Sequence, residues 1–161
     1  MTPRLARPAD LPAIDALLAR SFPVLLKADY PPSVVVTALP RLGRAQPRLV
    51  ASGTYWVTME GRAAVACGGW TAAAPRGGAA IVADVRHVAT DPAHVRRGLG
   101  RALMEAAMAQ ARGAGASAMR CLSTRTAVPF YAALGFEAVR AREIALAPGV
   151  AFQVVEMRRA L

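Results

Sequence analysis

The residues best suited to chemistry lie in His94–Met104, HVRRGLGRALM, where Arg96, Arg97 and Arg101 surround Gly98 and Gly100 at the start of a helical pattern. Two chemistries fit a basic, glycine-containing span of this kind. Its arginines can meet the phosphates of a nucleic acid, or its backbone can cradle the diphosphate of a cofactor. The first amides of a helix lack intrahelical partners and point beyond the helix end. Gly98 and Gly100 remove side chains that would block close approach. A diphosphate there accepts several backbone hydrogen bonds at the positive end of the helix dipole. Each charge-assisted bond contributes about 1.5–3 kcal/mol, against about 0.3–1 kcal/mol for an exposed dipole interaction. The amides therefore dominate, and the arginines add attraction. The span is not a Walker loop, because no Gly-Lys-Ser/Thr follows. It is also a poor dinucleotide fingerprint, because the third glycine position holds Leu103.

The elements that must position this loop are legible around it. IVADVRHVAT, Ile81–Thr90, reads as a strand closed by Asp91-Pro92. Leu99, Ala102, Leu103, Ala106 and Ala107 recur at helical spacing, and Gly113 and Gly115 end that helix. Upstream, Arg4–Arg7 reads as a short strand, with Asp10 as N-cap of a helix running to Arg20. The proline-punctuated Phe22–Arg48 predicts a loop and a short helix. Tyr55–Met59 and Arg62–Trp70 form a hairpin about Glu60-Gly61, with Gly68-Gly69 ending or bulging its second strand, and Pro75–Gly78 is a loop. Downstream come a strand at Ser117–Ser123, a short helix at Ala127–Leu134, and strands at Phe136–Arg140 and Val150–Arg158. This order predicts a single α/β domain spanning the chain, with a mixed sheet and helices on both faces.

Composition narrows the partners. The chain has 161 residues, is 55% hydrophobic and carries a formal charge of +10, a field that attracts anions. Lys27 is the only lysine among 20 basic residues, so a bias towards arginine accounts for much of that charge. No aromatics interleave with the basic cluster and no recognition-helix motif is evident, so a nucleic-acid module is the weaker reading. It is disfavoured as a partner except as a charged tRNA. No apolar run is long enough to span a membrane, and MTPRLARPADL lacks the apolar stretch of a signal peptide, so a cytoplasmic location is the expectation. Cys67 and Cys121 form no CxxC, which predicts two reduced thiols in strands and no metal site.

Asp84–Thr90, Asp91-Pro92, VRRGLGRALM and then TAVPFYAALGF together resemble the GNAT superfamily of N-acetyltransferases. The first block is similar to that family's acetyl-CoA pyrophosphate loop, the second to its tyrosine-bearing helix and following Gly-Phe. The resemblance runs from Asp84 to Phe136. It departs at Val95, where the family has Gln or Arg, and at Thr124, where an Asn is common. It implies a mostly antiparallel sheet of six to seven strands and acetyl-CoA as cofactor, with CoA released.

Under that resemblance, Val88–Thr90 (Val88, Ala89 and Thr90) present backbone to the pantetheine arm, and Ser117–Ser123 splays away to leave room for the thioester. The Val88 N–H is the expected oxyanion donor. Val95, Arg96, Arg97, Gly98, Leu99, Gly100 and Arg101 would hold the pyrophosphate, with Thr124, Ala127 and Tyr131 lining the remainder. Tyr131 corresponds to the tyrosine that protonates the departing thiolate, leaving Phe130 to fill the core.

The resemblance also implies an acceptor that is a primary amine of a small molecule or peptide, attacking directly in a ternary complex. Freeing an amine of pKa about 10.4 at pH 7 costs roughly 4–5 kcal/mol, so a base or water wire is needed. Asp84 is the first candidate, because some family members carry a glutamate there, and His87 the second. Strand alternation puts the two on opposite faces unless a bulge intervenes. Phe22, Leu26, Asp29 and Tyr30, in a segment expected to be irregular, are candidates for the acceptor pocket, with the loop Ala72–Gly78 at its border. The scarcity of acidic residues, ten in the chain, disfavours a polycationic acceptor. The C-terminal VVEMRR is a candidate edge for a homodimer.

Overall fold

The structure is a computed structural model that describes residues 1–72 and 80–161. The expected loop Pro75–Gly78, and with it most of Ala72–Gly78, lies outside the described residues. The elements run β1 (Arg4–Leu5), α1 (Leu11–Leu26), α2 (Pro32–Leu42), α3 (Pro47–Val50), β2 (Tyr55–Glu60), β3 (Ala63–Ala72) and β4 (Ile81–Thr90). After these come α4 (Leu99–Gly113), β5 (Ala116–Ser123), α5 (Val128–Ala133), β6 (Glu137–Ala147) and β7 (Val150–Ala160). The strands form one seven-stranded sheet in the order β1-β2-β3-β4-β5-β7-β6. Every pairing is antiparallel except β4 with β5.

Each face of the sheet carries its own core. Ile14, Leu17, Leu18 and Leu26 of α1 pack with Val57, Cys67 and Ala89 on one face. Leu103, Met104, Ala107 and Ala111 of α4 pack with Val65, Ala66, Met119 and Cys121 on the other. Gln110 of α4 accepts 3.0 Å hydrogen bonds from the indole N–H groups of both Trp56 and Trp70, and donates to the Gly53 carbonyl at 2.8 Å. Both cysteines are free and buried. No helix among the described residues is long and apolar enough to cross a membrane.

Several expectations change. α1 does not stop near Arg20 but continues through Pro23 to Leu26. An interior proline costs about 3 kcal/mol. Burying Phe22 and Leu26, 6% and 0% exposed, each returns about 1.5–3 kcal/mol and keeps the helix running. Asp10 makes no side-chain cap on α1. Its carboxylate instead accepts from the Arg4 guanidinium at 2.7 and 2.8 Å and from the Arg7 amide at 2.7 Å. The strand at Gly68-Gly69 does not end there but continues to Ala72 across a register shift. The segment VVEMRR is no edge, because β7 lies between β5 and β6 and is paired on both sides.

A cleft through the sheet as candidate active site

β4 and β5 separate partway along their length. Their parallel pairing ends at Asp84 opposite Arg120. Beyond it, Val85–Thr90 and Cys121–Thr124 line a cavity of about 1100 Å³. The expected splay of the Ser117–Ser123 strand is therefore present. The cavity opens through the sheet, and the two cores identify its faces. Val85 and Val88 pack with the α4 core, whereas Ala89 belongs to the α1 core.

A bulge sets which β4 side chains face which way. Cys67 pairs with Ala89 and Gly69 with Arg86, so Gly68 alone opposes both His87 and Val88. His87 takes the left-handed φ of 45° that such an insertion demands of it. The buried Tyr55 hydroxyl pins the bulge by donating to the His87 carbonyl at 2.9 Å. As a result Asp84, Arg86 and His87 all face the α1 side, and the opposite-face expectation for Asp84 and His87 fails because the extra residue resets the alternation.

The α4 face of the cleft is made by the loop before that helix. Arg96 and Gly98 are both left-handed, at φ 65° and 77°, and a Cβ on Gly98 would meet nothing within 4 Å. The turn leaves open space at the helix start. The first bond into the helix is Ala102 N–H to Gly98 carbonyl, 3.0 Å, so the amides before it stay available. A Cβ on Gly100 would lie 3.1 Å from the Phe130 ring and 3.2 Å from Thr90 Oγ1. A side chain there would require Phe130 or Thr90 to give way by a few tenths of an ångström. An amide-lined, arginine-flanked opening beside an unpaired strand edge fits a diphosphate with an extended arm, so these residues suit CoA.

Val88, Ala89, Thr90, Val95, Arg96, Gly98, Leu99, Gly100, Arg101, Thr124, Ala127 and Tyr131 all line the cavity. Arg97 is not among its lining residues. Arg101 also donates to the Ala133 carbonyl at 2.9 Å, tying α4 to α5. The two aromatics of α5 exchange their expected places. Tyr131 is buried in the α4 core, while Phe130 is only partly buried against it. Burial, with a smaller contribution from Cys121, pushes the Tyr131 phenol well above its ordinary range. The phenol stays protonated and lines the cavity. Burial also pushes the Cys121 thiol up to about 12, which suits packing rather than a covalent relay.

On the α1 face, the Asp84 carboxylate accepts from Arg120 Nε at 2.7 Å and lies 3.8 Å from Arg86. Both of its oxygens thus face guanidinium groups. His87 differs. Its Nδ1 is buried without a hydrogen-bond partner, and burial, reinforced by Arg86, holds the imidazole below its ordinary pKa. The ring is therefore held towards its neutral form, and it lines the cavity. Of the acceptor candidates, Phe22 and Leu26 line the cavity, but Asp29 and Tyr30 do not. Tyr30 is a core residue, stacked on Phe152 at 4.6 Å with its hydroxyl donating to the Gln153 carbonyl. Asp29 accepts from Thr126 Oγ1 at 2.6 Å. The sequence reading missed Gln46, Arg48, Leu49, Arg120, Leu122 and Ile144, which complete this wall. They come from elements far apart in the chain, and no local spacing marks them.

Comparison with known proteins matches this geometry. The fold resembles a GCN5-related N-acetyltransferase from Rhodopseudomonas palustris, with TM-score 0.77 and 20% identity, covering 99% of this chain and 95% of that one. It resembles the PaiA N-acetyltransferase of Thermoplasma acidophilum, solved in complex with coenzyme A, with TM-score 0.75, 12% identity and coverage of 99% and 98%. A third similar structure is the ribosomal-protein-S18-alanine N-acetyltransferase of Escherichia coli, with TM-score 0.65, 19% identity and coverage of 99% and 92%. No curated protein sequence matches the chain. A family model described as an acetyltransferase (GNAT) domain matches residues 51–138. That span is more than half of the chain and contains the bulged strand, the amide loop and the tyrosine helix, and the chain belongs to the GNAT acetyltransferases.

Proposed function

We propose that this acetyltransferase moves an acetyl group from acetyl-CoA to a primary amine by direct attack, with the donor on the α4 face of the cleft and the amine on the α1 face. The observation that carries this reading is the cleft itself. It joins an amide-lined helix start on one face of the sheet to an unpartnered, neutral His87 on the other.

Acetyl-CoA supplies the acetyl group as a thioester. The amides of residues 97–101 and the Arg96 guanidinium bind the diphosphate, and the free edge of β4 aligns the arm. The Val88 N–H is the donor for the charge that develops on the carbonyl oxygen. His87, directly or through one water, takes the proton that the amine must lose, and the bulge brings it to the acceptor face. Asp84 orients Arg120 and is the second choice of base. Tyr131, held protonated by burial, returns a proton to the sulfur that leaves. No covalent enzyme intermediate is required, which agrees with the raised Cys121 thiol.

Calorimetry with CoA and a thiol-release assay over a panel of amines test the reading together. Saturable CoA binding with amine-dependent release of free thiol is the expected result. No CoA binding at millimolar concentration overturns the assignment. CoA binding with no turnover of any amine overturns the catalytic part of it.

A further inference from the structure

The α1 face of the cleft has a charge pattern that selects among amines. Arg48, Arg86 and Arg120 line it, and Asp84 is the only acidic residue lining the cavity among those described. Arg120 and Arg86 share that one carboxylate, at 2.7 and 3.8 Å. Arg48 has no acidic partner among the described residues. Three guanidinium groups against one carboxylate leave two positive charges uncompensated beside the place where an amine must dock. An ammonium or polyamine would be repelled there. An anionic group would be held, and the planar guanidinium fork matches a carboxylate in a two-point contact.

Position sharpens the pattern. Because of the bulge, Arg86 and His87 are sequence neighbours facing the same side, so a base and a carboxylate anchor stand together. Arg86 is held by its Nε bond to Thr71 Oγ1 at 2.8 Å. Arg120 uses Nε for Asp84, leaving its terminal amino groups uncommitted among the described residues. Phe22, Leu25, Leu26, Leu49 and Leu122 supply an apolar part of the wall.

We infer that the acceptor is an amine that carries its own carboxylate and an apolar side chain: an amino acid of the leucine, methionine or phenylalanine kind. Its amino group docks at His87, its carboxylate at Arg86 and Arg48, and its side chain against the leucines of the α1 face. This inference rests on the acetyltransferase reading and narrows it.

The test compares L-leucine, L-methionine and L-phenylalanine with their carboxamides, alongside L-glutamate, phosphoethanolamine and spermidine, in the thiol-release assay. CoA calorimetry is run on the same preparation. The free acids should exceed their amides by about 10-fold or more in kcat/KM. Arg48→Ala and Arg86→Ala should raise KM for the acids about 10-fold relative to their amides, leave CoA affinity unchanged, and so erase the discrimination. Arg86→Lys should restore part of it. Equal use of acid and amide, or discrimination that survives both substitutions, overturns the inference. So does preference for phosphoethanolamine, spermidine or L-glutamate. In each of those outcomes CoA binding and turnover persist, and the acetyltransferase reading stands. Loss of CoA binding by the unaltered protein overturns both.

Discussion

The two faces of the cleft are built by different means. The α4 face comes mostly from one stretch of chain, Val88–Arg101, joined by the short α5 region. Its working groups are largely backbone: amides at a helix start, a strand edge, and the close approach that Gly100 permits. The α1 face draws on α1, α2, α3, β4, β5 and β6, and the groups proposed to work there are side chains: His87, Arg48, Arg86 and Arg120. A backbone site depends on conformation, which few substitutions can preserve. A side-chain site on the same scaffold can change its occupant residue by residue. The donor face is thus the constrained half and the acceptor face the adaptable one.

The sharpest way to break this contrast is on the backbone side. Gly100→Glu crowds Phe130 and Thr90 with a Cβ at 3.1 and 3.2 Å and puts a carboxylate at the proposed diphosphate site. CoA affinity should fall by at least about 100-fold, or roughly 2.7 kcal/mol, in a protein whose circular dichroism is unchanged. Retained affinity in calorimetry would remove the loop as the donor site.

The groups that handle protons come next. Tyr131→Phe should lower kcat roughly 100-fold while KM for acetyl-CoA moves little, within the span typical of a positioned acid. His87→Gln should lower kcat by a similar factor and flatten the acid limb of the pH–rate profile. If Asp84→Asn flattens that limb and His87→Gln does not, the proton roles of the two are reversed.

A smaller effect tests the bulge that lets one strand serve both faces. Tyr55→Phe leaves the buried His87 carbonyl without its donor, a loss of about 1–3 kcal/mol in chemical denaturation. Turnover should fall with stability, because His87 loses its fixed aim. A stable variant with full activity would show that the strand bulges without the phenol.

The smallest effect is in pH. His87 is held below its ordinary pKa, so as pH falls below about 6.5 the unfolded chain binds this proton more readily than the folded one. Stability should decline over that window, and the decline should be absent in His87→Gln. Carboxylates held low by partners, Asp10 by Arg4 and Glu156 by Arg140, contribute a separate loss at more acid pH, below the usual carboxylate range.

Legibility in the sequence follows the same division. The loop-helix at Val95–Met104 and the helix at FYAALGF could be read because local spacing carries their signal. The element order was readable for the same reason. Pro23 misled because burial of Phe22 and Leu26 outweighs the helix penalty, and tertiary burial has no local signature. Asp29 and Tyr30 were legible as polar and aromatic residues, but their partners Thr126 and Phe152 lie about a hundred residues away. The shared face of Asp84 and His87 depended on a bulge fixed by Tyr55 from another strand. The three arginines of the acceptor wall are scattered in an arginine-rich chain, and only the fold separates them from the rest.

The Gln110 bridge gives the chain a built-in optical reporter. Its only two tryptophans, Trp56 and Trp70, both donate to that one side chain of α4. Their emission therefore senses how α4 is seated on the sheet. The layer formed by α1, α2 and α3 contains no indole and stays dark. A ligand at the amide end of α4, about 15 Å along the helix from Gln110, should change intrinsic fluorescence only if it shifts that seating. An unlabelled fluorescence titration with CoA therefore reads whether binding moves the helix on the sheet.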